Sequence, residues 1–392
     1  SGFSPAWALK GTGGGPGRSR LRTVLVAAQF GVAIVLMIGV GVVFDQLGYL
    51  RDQRLGFDRE HLLVLPATDA HRADFDAVRR LLSSHPGVRA VTASEFVPSA
   101  QLTNAINGSA EVGGQMRAFE SLSLMAVDHD YPAALGLEVV AGRSFSKDVA
   151  SDSTGAVVLN EAAVRQLGWA SAEAAVGRTF VLDGNTVQRR AQVVGVVRDF
   201  HVESLRERIA PLVLYVRPER YLRVLVRVDG ARLPEALTFL EAQWQRYRPD
   251  YPFTYAFVDQ LFGQLYQAEE RLGRLLGVFA GLAVFIGCLG LFGLAAFTAA
   301  QRRKEIGVRK VMGASVAGIV LLLSKDFARL VGLAFCFAAP VAYVGAVQWL
   351  GTFAYRAEVS WWIVPGAGLA ALAVALLTVS HQAVRAATTD PV

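Results

Sequence analysis

Four stretches of this 392-residue chain are apolar over the length that crosses a bilayer, and they constrain everything else. Residues 24–44 hold one clearly polar side chain, Gln29. Residues 275–300 hold nothing more polar than Thr298. Residues 330–350 contain Pro340, with Gln348 near their end, and residues 361–380 are uncharged throughout. About 20 residues rising roughly 1.5 Å each span the ~30 Å hydrocarbon core. Lipid offers no partner to an open backbone, so each run reads as a helix. Composition agrees: 53% of residues are hydrophobic and only 18% charged, against about 25% charged in soluble domains.

The charges divide the chain in two. Residues 51–270 carry 24 Arg and Lys against 28 Asp and Glu, while the remainder carries 15 against 5. The basic balance therefore belongs to the membrane part and says nothing for nucleic acid. The long middle segment reads as a separate, mildly acidic body.

Cations in short flanks stay on the cytoplasmic side. Arg18, Arg20 and Arg22 hold the N-terminal flank there, and the segment QRRKEIGVRKVMGAS (301–315), with five cations and one acid, lies on the same side. The resulting topology has a junction at 1–21, helices at 22–50, 271–300, 327–350 and 361–384, and an extracytoplasmic body at 51–270. A cytoplasmic segment spans 301–326, an outer loop 351–360 and a cytoplasmic tail 385–392. Trp349, Trp361 and Trp362 fall at the outer ends of the last two helices, where aromatic belts form. The first run is too long for a signal peptide and is read as retained. Cys288 and Cys336 lie inside apolar runs and read as packing residues.

Within the body, HLLVLP, GAVVLN, RTFVLD, AQVVGVV, PLVLYV and LRVLVRV have the Val/Leu-rich character of strands. Residues 71–84, 160–168 and 231–246 read as helices, the second with Asn160 as N-cap. Residues 98–118 are polar and Gly-rich, as a loop or hairpin would be. The expected class is a four-helix membrane protein with a large mixed α/β domain between its first two helices.

Catalytic and transport chemistries are mostly excluded. GTGGGPGRS superficially resembles a phosphate loop, but Thr12 stands in place of the first glycine, Arg18 in place of the lysine, and no strand precedes it. No ionisable residue lies mid-helix for ion coupling; Asp45 and His381 lie toward helix ends. Asp199, His201 and Glu203 in RDFHVES would share one face of a strand and could ligate a metal there, or form ordinary surface structure. Gly277 and Gly281 form a G-x-x-x-G, and with Gly287 and Gly290 they mark the second helix for close packing.

The stretch LYQAEERLGRLLGVFAGLAVFIGCLGLFGLAAFTAAQRRKEIGVRKVMGAS resembles the second-helix region of the MacB/FtsX-like family of ABC transporter permeases. VDHDYPAALGLEVVAGRSFS, VVLNEAAVRQLGW and VVGVVRDFHVESLRERIAPLVLYV resemble that family's extracytoplasmic core domain. LSKDFARLVGLAF and VSWWIVPGAGLAALAVALLTVSHQAVRAA resemble its last two helices. FSPAWALKG resembles the junction between two permease units, implying the C-terminal half of an eight-helix member.

The resemblance implies a non-catalytic permease subunit in a bacterial inner membrane. A separate cytosolic ATPase dimer would bind ATP and Mg, so this chain would need no cofactor. A second permease half or homologous permease, the lipid bilayer and a periplasmic protein would be its other partners. ATP-driven motion would pass through a cytoplasmic coupling helix to the outer domain, for export or release of a substrate.

That helix maps to Arg302, Arg303, Lys304, Glu305, Ile306, Gly307, Arg309, Lys310, Met312 and Gly313. Glu305 and Arg309 are spaced i, i+4 in the favoured order, and Ile306, Val308, Val311 and Met312 add an apolar face. The competing reading of the whole chain is a membrane-anchored sensor or scaffold without transport.

Overall fold

The computed structural model describes residues 16–183, 188–247, 251–301, 308–309, 312 and 315–388. They form two compact units. One comprises Ser1–Arg51, Ala268–Thr352 and Arg356–Val392, and the other Asp52–Gln267 with Phe353–Tyr355.

The outer unit has two lobes. Its first contains β1 (Leu62–Pro66), α2 (Asp69–Ala73), α3 (Phe75–Leu82), β2 (Val88–Ser94), β10 (Arg223–Val228), α8 (Leu233–Tyr247) and β11 (Ala256–Phe257); α1 is the long helix described below. The strands run in the order β11-β1-β10-β2, every neighbour antiparallel. This is a split β-α-β arrangement. Alternation places Leu63, Leu65, Val91, Ala93, Val224, Val226 and Val228 on one face, which meets Phe75, Val78 and Leu82 of α3 and Ala236, Leu240 and Trp244 of α8. The helix read over 71–84 is two helices. Asp74 breaks it with φ −141° and ψ 68°, and its carboxylate then accepts the Ala77 N–H to start α3.

The second lobe is inserted between β2 and β10. It holds β3 (Ala105–Val112), β4 (Gln115–Val127), α4 (Tyr131–Leu135), β5 (Val139–Gly142), α5 (Asp152–Gly155), β6 (Ala156–Asn160), α6 (Glu161–Leu167), α7 (Ala172–Ala175), β7 (Thr179–Asp183), β8 (Gln188–Val197) and β9 (Leu212–Val216). Strands β4-β3-β7-β8-β6-β9 are paired in sequence, and β9 returns to β4, so they close a ring. Phe119, Leu122, Leu159, Phe180, Val193 and Val213 fill its core. Residues 98–118 do contain a hairpin. Gly113 and Gly114, at φ +61° and +80°, make its two-residue turn, a conformation that glycine adopts without a Cβ clash.

Asn160 caps α6, its side-chain oxygen accepting the N–H groups of Ala163 and Leu212 at 2.9 Å each. Its amide donates to the Ala210 carbonyl at 2.9 Å. One buried side chain therefore joins β6, α6 and the start of β9.

The membrane unit holds α1 (Pro16–Asp52), α10 (Gln267–Gln301), α11 (Val316–Leu350) and α12 (Ile363–Thr388); α9 (Val258–Leu265) precedes α10 in the outer unit. Each long helix contains a segment long and apolar enough to cross a membrane: Leu21–Asp52, Gln267–Thr298, Ser324–Leu350 and Ile363–His381. The third helix starts earlier than its apolar run. Ser315 caps it, accepting the Gly318 N–H at 3.2 Å, so the start of the 301–326 segment alone connects α10 to α11.

The seam between α11 and α12 is made of alanine. Ala334, Ala338, Ala342 and Ala346 recur every fourth residue on one helix, and Ala367, Ala371 and Ala375 on the other. Small side chains at i, i+4 let two backbones approach where lipid gives no hydrophobic drive. Cys336 lies off that seam on an exposed face and is no packing residue, while Cys288 is half-buried.

Candidate functional site

The segment expected to receive force from an ATPase is described at Val308, Arg309 and Met312. Arg302, Arg303, Lys304, Glu305, Ile306, Gly307, Lys310 and Gly313 lie outside the described residues. Val308 and Arg309 are helical, and the Met312 N–H donates to the Val308 carbonyl at 3.0 Å. Val308 is 60% exposed and Met312 81%, one helical turn apart, with Arg309 also exposed. An apolar pair beside a cation, held in a helical turn, can seat in an apolar notch with an acidic rim.

The four glycines of α10 singled out for packing divide into two pairs. A Cβ on Gly287 would stand 3.3 Å from the Phe30 ring, and one on Gly290 would stand 2.8 Å from Gln29 Oε1 and 3.1 Å from Val26. These two lie close against α1, as does Gly273, where a Cβ would stand 3.1 Å from Val43. Gly277 and Gly281 have nothing within 4 Å of such an atom. Among the described residues, therefore, the G-x-x-x-G meets no packing partner within 4 Å.

Polar ties hold the outer ends of the long helices. The Ser360 hydroxyl donates to Asp45 at 2.7 Å, and the Ala357 N–H donates to Gln46 Oε1 at 2.7 Å. Arg51 of α1 pairs with Glu270 of α10. Gln46 is fully buried, so its satisfied carbonyl matters. At the opposite end the Arg22 guanidinium lies 5.4 Å from the Phe297 ring centroid. Asp45 is thus a structural acceptor between α1 and the loop before α12.

Asp199, His201 and Glu203 do not converge. Strand β8 ends at Val197, so strand alternation no longer governs them. Asp199 accepts the Ala162 N–H at 2.8 Å and pairs with Arg165. Glu203 accepts the Leu102 N–H at 2.7 Å. His201 is buried, with its ring edge-on to Tyr355 at 4.7 Å. Burial pushes its pKa from 6.5 down to about 4 despite the opposing charge of Asp199, so it is neutral at pH 7. Among the described residues no group of three His, Cys, Asp or Glu could hold a metal ion.

Two features escaped the sequence reading. The alanine seam is visible in sequence as repeated A-x-x-x-A, but Ala is so common in apolar helices that the repeat alone does not mark it. The outer loop at 351–360 does more than connect two helices, since its Phe353–Tyr355 belongs to the outer unit.

Residues 26–239 match the MacB-like periplasmic core domain, and residues 277–391 match the FtsX-like permease C-terminal domain. A curated relative, the macrolide export ATP-binding/permease protein MacB of Sodalis glossinidius (strain morsitans), is 23% identical over 309 residues. That alignment takes in 75% of this chain and 46% of the relative, so the chain spans about half the relative's length. Among solved structures, the periplasmic region of MacB from Actinobacillus actinomycetemcomitans aligns with 18% identity and a TM-score of 0.37, covering 53% of this chain and 93% of that one. The extracellular domain of the noncanonic ABC-type transporter YknZ from Gram-positive bacteria aligns with 14% identity and a TM-score of 0.33, covering 50% and 96%.

Proposed function

Because the chain belongs to the MacB/FtsX-like family of ABC transporter permeases, we propose that it is a mechanical subunit. It takes up the motion of a separate cytosolic ATPase dimer, which holds ATP and Mg, and delivers it to its own extracytoplasmic domain. The work done there is export or release of a substrate at the outer face of the inner membrane.

One observation carries this reading: a folded outer unit of more than two hundred residues is joined to helices whose apolar runs hold no Asp, Glu, Lys, Arg or His. Ion-driven transport needs protonatable or ion-binding side chains within the membrane, and the four apolar runs carry none. The free energy must then come from a partner chain. The turn between α10 and α11 offers that partner a docking surface, with Val308 and Met312 exposed around Arg309.

The test is co-purification from membranes. The wild-type chain retains an ATPase whose turnover depends on it, and Arg309→Glu with Lys310→Glu loses the ATPase while inserting normally. Full retention of the ATPase by that double variant would refute the docking surface. ATP turnover indifferent to this chain would refute the subunit role.

A further inference from the structure

The segment DFHVESLR, 199–206, lies between β8 and β9 and has no regular structure, yet it is firmly held. Phe200, Val202 and Leu205 are buried. The Asp199 N–H donates to the Glu161 carboxylate at 3.0 Å, and the Val202 carbonyl accepts the Ser99 N–H at 2.7 Å. These contacts fix the segment to the second lobe.

Its remaining groups meet the places where the chain joins or leaves the outer unit. The chain enters that unit after Arg51, leaves it before Ala268, and returns for Phe353–Tyr355. Just after arrival, the Leu55 carbonyl accepts the His201 N–H at 2.8 Å. The next residue, Gly56, has φ +81°, and a Cβ there would stand 2.7 Å from the Asp199 carbonyl oxygen and 2.9 Å from Phe200 Cα. Only glycine allows this approach. Just before departure, the Tyr266 hydroxyl accepts the Leu205 N–H at 3.0 Å.

At the third passage, the Ala354 N–H donates to the Arg206 carbonyl at 2.9 Å and the Tyr355 N–H to the Leu205 carbonyl at 3.4 Å. The Arg206 guanidinium lies 4.6 Å from the centroid of the buried Phe353 ring, and the Tyr355 ring meets His201. Leu205 thus gives its N–H to the segment leading into α10 and its carbonyl to the loop between α11 and α12.

We infer that residues 199–206 are the transmission joint of the outer unit, the stretch onto which every passage of the chain from the long helices is fastened. This rests on the mechanical reading above. Two covalent linkers would suffice to tether an outer domain. The loop between α11 and α12 need not touch it, yet it is hydrogen-bonded to Leu205, which α10's approach engages, and to Arg206 beside it. Displacement of any of the four helices is therefore delivered to one place, through contiguous packed and bonded groups.

The joint is tested in the full chain, assembled with its ATPase and lacking native thiols through Cys288→Ala and Cys336→Ala. Spin labels at Met116→Cys and Arg271→Cys report the distance between the outer unit and α10, with and without ATP. The otherwise unaltered chain shows an ATP-dependent shift. Phe353→Ala with Tyr355→Ala cuts that shift to less than half while ATP turnover persists, and Tyr266→Phe reduces it by a smaller fraction.

A full shift in the folded double variant overturns the joint. Should that variant fail to fold, a full shift in Tyr266→Phe overturns it instead. Turnover that depends on this chain without any shift in the unaltered protein overturns the joint and leaves the subunit role standing. Turnover independent of this chain overturns both.

Discussion

The two units differ in where small side chains are buried. In the outer unit the most enclosed residues are the largest: Tyr131, Tyr221, Phe180 and Phe200 are all below 2% exposed or at it. The membrane unit also encloses Phe30, Ile34 and Ile38 of α1, but the seam of its last two helices is alanine, while Phe337 (77% exposed) and Leu377 (72%) point outward. Water expels apolar surface, so an aqueous domain gains by enclosing its bulkiest groups. Lipid is as apolar as leucine, so helices there gain by close approach instead. A large apolar residue thus lies inside or outside in the membrane unit according to its helix face, whereas the seam depends on small ones, and substitutions can test that contrast.

The largest effect belongs to Phe180→Ala. Phe180 is fully buried in the ring of strands and stacks on Phe119 at 4.8 Å. Its loss leaves a cavity and should destabilise the outer unit by about 3–5 kcal/mol, read as a lowered denaturant midpoint.

Ala371→Leu is the counterpart in the bundle. Enlarging a seam residue that is 1% exposed should cost about 1–3 kcal/mol through overpacking. Thermal unfolding in detergent would report it. Leu377→Ala, the same change in volume made in reverse on the outward face, should leave the same transition in place; the reverse ranking would refute the contrast.

Asn160→Ala removes the cap of α6 and leaves the Leu212 N–H without its acceptor. A loss of roughly 1–2 kcal/mol follows, and hydrogen exchange should quicken at Ala163 and Leu212.

A pH titration isolates His201. Its folded pKa of about 4 lies below its ordinary 6.5, so between these values the unfolded chain binds more protons and stability rises with pH. The outer unit should therefore lose stability as pH falls from 6.5 toward 4. His201→Asn should flatten that part of the profile.

The smallest effect is expected at Gly281→Leu. Nothing lies within 4 Å of a Cβ at that position, so the isolated chain should melt as before. A shifted melting temperature would mean that α10 packs there after all.

The strands were legible because Val and Leu runs of the right length are bounded by turn residues, and Asn160 was legible as a cap because its chemistry is local. What alternation could not give is where a strand stops. RDFHVES continues β8 in sequence, but Gly56 and the Leu55 carbonyl take up the backbone at 199–201, and those partners are far away in the chain. Strand β2 was missed because VRAVTAS carries small and polar residues on a buried stretch, and its neighbours become visible only once β10 pairs with it. The bundle's length and orientation follow from hydropathy and charge, whereas its seam depends on which of many small residues face inward.

Strand β4 has one further consequence. Its Val127 pairs with Ser94 of the first lobe and also with Val216 of the second. Around that point the Glu95 N–H bonds to the Ala126 carbonyl, the Asp128 N–H to the Ala93 carbonyl, and the buried Glu95 carboxylate pairs with Arg220. A clamshell motion of the two lobes would have to sever all of these at once. β4 is thus a beam common to both lobes, and parting them would break main-chain pairing as well as the ion pair.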